Sequence, residues 1–212
     1  MSKKLFWFIG IIAVCIIGMI VLVDTEKESA VMDYEGQPFL GEASAPVEIV
    51  EFGDYKCPHC KEFNDNLLPM IQEELITSGK AKFYFMNYAF MGPDSTSAAQ
   101  FAEAVYEQLG NEVFWDFHHL LFANQTTKSG EMNIFTDELM ETVLSEVASP
   151  EETEQVMTAY HDGKGKDALK KDMSTAKSLG ISSTPSIYIN GKLFDGGTMN
   201  DFLERVEEAS GE

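Results

Sequence analysis

The chain has 212 residues, of which 35 are acidic and 15 basic, giving a formal net charge of −20 at pH 7. A surface this acidic repels nucleic acid and anionic lipid headgroups, so charge alone argues against both as partners. With only three cysteines, the fold cannot be held by a disulfide framework and needs a packed core.

Lys3 and Lys4 precede an uncharged apolar run from Leu5 to Val23. As a helix its 19 residues rise about 28 Å, close to the thickness of bilayer hydrocarbon. No small-x-small cleavage signature follows, so residues 5–23 read as an uncleaved transmembrane anchor, with Cys15 filling apolar volume mid-span. The two lysines keep residues 1–4 in the cytoplasm and place the rest of the chain outside it. The exported part, Asp24 to Glu212, has 189 residues, enough for one domain with an inserted subdomain. It carries 13 basic against 35 acidic side chains, a net charge of −22, and two cysteines, Cys57 and Cys60.

Residues 24–41 read as a tether and short arm. Pro46 then introduces VEIVEFGDY, with Val47, Ile49 and Glu51 facing one way while Val50 and Phe52 sit in a largely apolar run; the run, bounded by Pro and Gly, predicts an interior strand. In KEFNDNLLPMIQEELITSG, Phe63, Leu67, Ile71 and Leu75 form one helical stripe closed by Gly79, and Pro69 inside it predicts a kink. KAKFYFMNY reads as a second strand, completing a β-α-β unit with a right-handed crossover. Residues 95–178 have helical character throughout: AAQFAEAVYEQLG, VFWDFHHLLFAN, FTDELMETVLSEV and the stretch after Pro150, with a loop from Asn124 to Gly130. Strands return at Ser186 to Ile189 and Lys192 to Phe194 around Asn190-Gly191, a two-residue hairpin signal. A last helix, Asn200 to Ala209, turns Phe202, Leu203 and Val206 to the core. The pattern is an α/β fold: residues 42–94 and 179–212 form one domain, and 95–178 a helical insertion.

The stretch EIVEFGDYKCPHCK is by itself compatible with a redox pair, half of a zinc site or two buried thiols. If Cys57 begins the helix, free backbone donors and the positive end of the dipole lower its pKa. Pro58 suits that first turn, His59 can polarise the thiolate, and Cys60, one turn on, is the more buried thiol. Thr184-Pro185, at the lip of a strand, suggests a cis peptide bringing the Thr184 backbone to the cysteines. Glu51, six residues before Cys57, is placed to relay the proton of Cys60, with Lys82 on the next strand as its candidate charge partner. For zinc, His118, His119 and His161 lack ligand spacing; adjacent His118 and His119 cannot share a face, which makes one packed and the other exposed. The acidic pairs show no calcium-loop spacing.

FGDYKCPHCKEF together with GISSTPSIYINGK resembles the DsbA-like family of thiol-disulfide oxidoreductases, in particular membrane-anchored extracytoplasmic members of Gram-positive bacteria. The resemblance implies a thioredoxin-like fold whose helical insertion is residues 95–178. It implies Cys57 as nucleophile, Pro58 and His59 as the potency-setting dipeptide and Cys60 as resolving thiol. Thr184 takes the variable position before the cis-proline Pro185, where strong oxidases often carry valine; Glu51 takes the buried acidic position and Lys82 a nearby lysine. Neither cofactor nor metal is implied. The implied partners are reduced exported proteins and a membrane quinone-linked thiol oxidase, acting on a monomer, and the acidic surface predicts a reduced apolar client groove. Two alternatives are an isomerase or reductase on the same fold and a binding module with a vestigial C-x-x-C.

Overall fold

A computed structural model describes residues 32–126 and 133–211. The expected anchor at 5–23 and the far end of the expected loop at 124–130 lie outside them. Among the described residues no helix is long and apolar enough to cross a membrane.

The arm ends in a short strand, β1 (Phe39–Leu40), and Val47–Gly53 forms β2. A continuous helical segment, α1 (residues 58–76), leads to β3 (Ala81–Asn87). Four helices follow: α2 (Pro93–Ala123), α3 (Asp137–Leu144), α4 (Pro150–His161) and α5 (Lys166–Ser178). The chain closes with β4 (Ser186–Ile189), β5 (Lys192–Phe194) and α6 (Met199–Ser210). The sheet order is β1-β3-β2-β4-β5, so β2 is central as its apolar run predicts. It runs parallel to β3 and antiparallel to β4, which makes β2-α1-β3 the expected crossover unit. The α2–α5 insertion separates β3 from β4.

Strand alternation divides the core. Val47 and Ile49 of β2, Phe83 and Phe85 of β3 and Ile187 of β4 face the large core under α1, α2 and α6. Val50, Phe52, Tyr84, Met86 and Tyr188 face the smaller core closed by Ala176 of α5 and Ile181. Glu51 therefore points with Val47 and Ile49 toward the α1 side, as side chains two apart on a strand must.

Helix α1 corrects the expected stripe. Its α turns, Pro58–Glu62 and Leu68–Ile71, alternate with wider π turns, Phe63–Leu67 and Gln72–Ile76. At the first wide turn the Leu68 N–H reaches back five residues to the Phe63 carbonyl. The widening absorbs the donor missing at Pro69 and rotates the following residues, since each such turn holds one residue more. Leu68 and Ile76 thus join Phe63, Ile71 and Leu75 in the core, while Leu67 is turned out and 41% exposed.

In α2 the two helical stretches expected from sequence meet at Gly110, whose φ of 81° breaks the helix. The next residue, Asn111, donates to the Phe39 carbonyl at 2.7 Å and accepts its N–H at 2.9 Å, satisfying the backbone of the edge strand β1. The hairpin is as the sequence predicts: Asn190 and Gly191 have φ of 45° and 75°, the left-handed geometry a two-residue turn requires. A buried polar knot joins arm, sheet and insertion. Asp172 accepts from the Gln37 side chain at 2.6 Å and the Asn87 N–H at 2.7 Å, and the Asn87 amide donates to Glu103 at 2.7 Å. Burial raises both carboxyl pKa values.

Candidate active site

Four residues, Asp54 to Cys57, join the carboxyl end of β2 to α1. The Cys57 N–H donates to the Asp54 carbonyl at 2.9 Å, closing the turn, and Cys57 is the extended N-cap residue with Pro58 in the first helical position. Both sulfurs are free thiols; Cys60 is fully buried and Cys57 nearly so. The Cys57 sulfur lies 3.4 Å from the carbonyl oxygen of Thr184, and the Thr184-Pro185 peptide is cis. Residues 127 positions apart in sequence thus meet at one sulfur.

The electrostatics are asymmetric. Cys57 is lowered to about 5, first by the Cys60 thiol donating to its sulfur, then by Thr184 and by the N–H groups of Cys60 and His59, against an opposing effect of burial. The Thr184 hydroxyl is buried and has no hydrogen-bond partner among the described residues, which leaves it available to this sulfur. Burial raises Cys60 strongly, and its hydrogen bond to the Cys57 sulfur and the Cys57 charge push the same way. Glu51 is itself wholly buried and raised to about 8, chiefly by burial, and its two carboxyl oxygens have no hydrogen-bond partner among the described residues. Thiolate at Cys57, thiol at Cys60 and neutral carboxyl at Glu51 is the protonation state this centre favours at neutral pH.

His59 acts differently from the expectation. Its ring is exposed and lies 3.7 Å from a Glu62 carboxyl oxygen, and what reaches the sulfur is its backbone N–H. Lys82 is not the partner of Glu51. In the parallel register Lys82 stands opposite Glu48, while Glu51 stands opposite Phe85, three residues further on. Three residues along a strand is about 10 Å and reverses the face, so the two side chains lie on opposite sides of the sheet. Lys82 instead pairs with Glu48 at 3.2 Å and donates to the Ala43 carbonyl at 3.2 Å. His118 is the packed histidine, 3.0 Å from the Tyr55 hydroxyl through Nδ1. His119 is half-buried rather than exposed, with its Nδ1 2.7 Å from the Asn64 side-chain oxygen.

Three residues around the turn were not singled out from sequence. Asp54 accepts from Ser95 Oγ at 2.6 Å and from the N–H groups of Lys56, Phe90 and Met91, fastening the turn to the β3–α2 connection. Lys56 bonds Asp94 at 2.7 Å. Gln125 donates its side-chain amide to the carbonyls of Tyr55 and Cys57. Asp54 carries a local signal, an acid opening a four-residue turn; Gln125, 68 residues from Cys57, carries none. A groove of about 420 Å³ opens beside Pro185, lined by Phe63, Leu67, Leu193, Met199 and Phe202 among others. Its walls come from α1, the hairpin and α6, and no single stretch of sequence displays them together.

The thioredoxin family model matches residues 33–208. Disulfide bond formation protein D of Bacillus subtilis is 37% identical over 159 residues, covering 75% of this chain and 70% of that protein. The chain belongs to the DsbA-like thiol-disulfide oxidoreductase family. Probable disulfide bond formation protein D of Bacillus cereus is 35% identical over 168 residues, covering 79% of this chain and 76% of the relative. Among solved structures, oxidised BdbD from Bacillus subtilis superposes with a TM-score of 0.80 at 33% identity, covering 87% of this chain and 98% of that one. The DsbA-like architecture, a thioredoxin-like α/β domain with a helical insertion, is the one described above, and the chain is a protein thiol-disulfide oxidoreductase.

Proposed function

We propose that Cys57 and Cys60 are the redox pair and that their disulfide is transferred to reduced exported proteins. The observation that carries this reading is the opposed tuning of two sulfurs one helical turn apart: Cys57 down to about 5, Cys60 up. A client thiolate attacks Cys57 of the disulfide; the Cys57–Cys60 bond breaks and Cys60 leaves as a thiolate. Glu51, neutral near pH 7, gives it a proton. A second client thiolate attacks the client sulfur of the mixed disulfide, and Cys57 leaves as a stable thiolate. The client has lost two electrons and the pair has gained them, and low thiolate basicity at Cys57 favours that direction. Before Cys60 can attack in the reverse sense or during reoxidation, Glu51 as carboxylate takes its proton back. Thr184 and Pro185 flank the sulfur and the apolar groove, which suits an extended, partly apolar client segment.

The names of the Bacillus relatives support net disulfide formation as the direction. The apolar run Leu5 to Val23 supports an anchor holding residues 24–212 outside the cytoplasmic membrane, beside a membrane quinone-linked thiol oxidase that reoxidises the pair. We assign residues 42–94 and 179–212 to the thioredoxin-like domain and 95–178 to the insertion, and read the protein as a monomer. Incubation of the reduced protein with a disulfide-bonded model client, followed by non-reducing electrophoresis, tests the assignment of the pair. In Cys60→Ser the Cys57 thiolate attacks the client disulfide, one client sulfur leaves as thiolate, and the mixed disulfide should accumulate because no resolving thiol remains; Cys57→Ser should form none. A mixed disulfide accumulating with Cys57→Ser as readily as with Cys60→Ser would refute it.

A further inference from the structure

The redox turn is gripped by the helical insertion through groups that the chemistry above does not use. Just past the end of α2, the Gln125 side-chain amide donates to the Tyr55 carbonyl at 2.5 Å and to the Cys57 carbonyl at 3.1 Å. Gln125 is only 5% exposed, and its side-chain oxygen has no partner among the described residues. The amide orientation follows from the surroundings, because the flipped amide would set its oxygen against two carbonyl oxygens. The grip is reciprocal. Lys61 of α1 donates to the Phe122 and Ala123 carbonyls at 2.7 and 3.4 Å, placing a cation at the carboxyl end of α2. The Cys57 carbonyl also accepts the first α1 hydrogen bond, from the Lys61 N–H at 3.1 Å, so Gln125 holds the peptide on which the helix start is built.

Resting on the assignment of Cys57 and Cys60 as the redox pair, we propose that Gln125 is a positioning residue of that pair. Its amide fixes the Tyr55 and Cys57 carbonyls and thereby keeps the Cys57 sulfur in line with the His59 and Cys60 N–H groups, so the insertion sets the poise of the disulfide. Without that donor the two carbonyls lose their partner, the turn is free to rotate and the sulfur drifts from the donors that stabilise its thiolate. Gln125 touches no reacting atom.

The test uses the full chain carrying Gln125→Met, which keeps length and volume but has no donor, and Gln125→Asn, whose shorter amide reaches one carbonyl at most. Two quantities are read: Cys57 ionisation, from thiolate absorbance against pH, and the equilibrium constant for disulfide exchange with glutathione. Gln125→Met should raise the Cys57 pKa and shift the constant about threefold or more toward a weaker oxidant, the worth of one net hydrogen bond. Gln125→Asn should give a smaller shift of the same sign, and it decides the matter alone if Gln125→Met does not fold. A variant that melts lower but keeps the wild-type pKa and constant overturns the proposal and leaves Gln125 a structural residue. If the wild type forms no glutathione-dependent Cys57–Cys60 disulfide, the assignment of the pair fails first, an outcome distinct from unchanged variants of an active wild type.

Discussion

At the scale of single residues the centre rests on two groups whose ionisation runs in opposite senses. Glu51 in the fold is raised from 4.5 to about 8, so across that interval the folded protein holds a proton that the unfolded chain releases. Stability then falls as pH rises. Cys57 in the reduced protein is lowered from 9.0 to about 5, so between those values the unfolded chain holds the extra proton and stability rises with pH. In the oxidised protein Cys57 does not titrate, and the Glu51 effect stands alone. Oxidised Glu51→Gln should therefore gain thermal stability relative to wild type steadily from pH 5 to pH 8. A melting-temperature difference that stays constant over that range would mean Glu51 is ionised in the fold. The helix start at Cys57-Pro58 and the cis Thr184-Pro185 peptide beside the Cys57 sulfur were legible in the sequence because short local strings carry them. Lys82 was misread because strand parity and register, not closeness in sequence, decide which side chains meet, and the His59 contribution lies in a backbone N–H that any residue but proline supplies.

At the scale of elements, the strands, the Asn190-Gly191 hairpin and the order β-α-β, helices, β-β-α were legible, since alternation and turn residues are local properties. The face of α1 was not, because a stripe read at 3.6 residues per turn presumes that every turn is an α turn. Its two π turns put Leu67 on the rim of the groove, where it widens the apolar wall beside Pro185. Where β2 meets the redox turn the packing leaves no slack. A Cβ on Gly53 would run into the Phe85 ring and come within 3.1 Å of a Glu51 carboxyl oxygen. Gly53→Ala should destabilise the protein by about 1–3 kcal/mol in urea unfolding, the usual penalty of overpacking a closed core. It should also displace Glu51, whereas an unchanged unfolding midpoint would show that Phe85 yields freely.

At the scale of the whole molecule, the helical insertion is part of the redox machinery and not only a cover for it. The bonds joining it to the turn span separations such as 41 residues for Ser95–Asp54 and 68 for Gln125–Cys57, which is why no pattern in the sequence announces them. The same holds for the groove, assembled from α1, the hairpin and α6. The central claim is that this scaffold makes reduced Cys57–Cys60 the favoured state, so that the disulfide is readily given away. The most direct test is the equilibrium reduction potential of the pair in glutathione buffers, read from the fraction of Cys57–Cys60 disulfide at each ratio. A value near about −120 mV, the range of a strong dithiol oxidant, is the predicted result. A value near about −270 mV, the range of a dithiol reductant, would contradict net disulfide formation as the task of this protein.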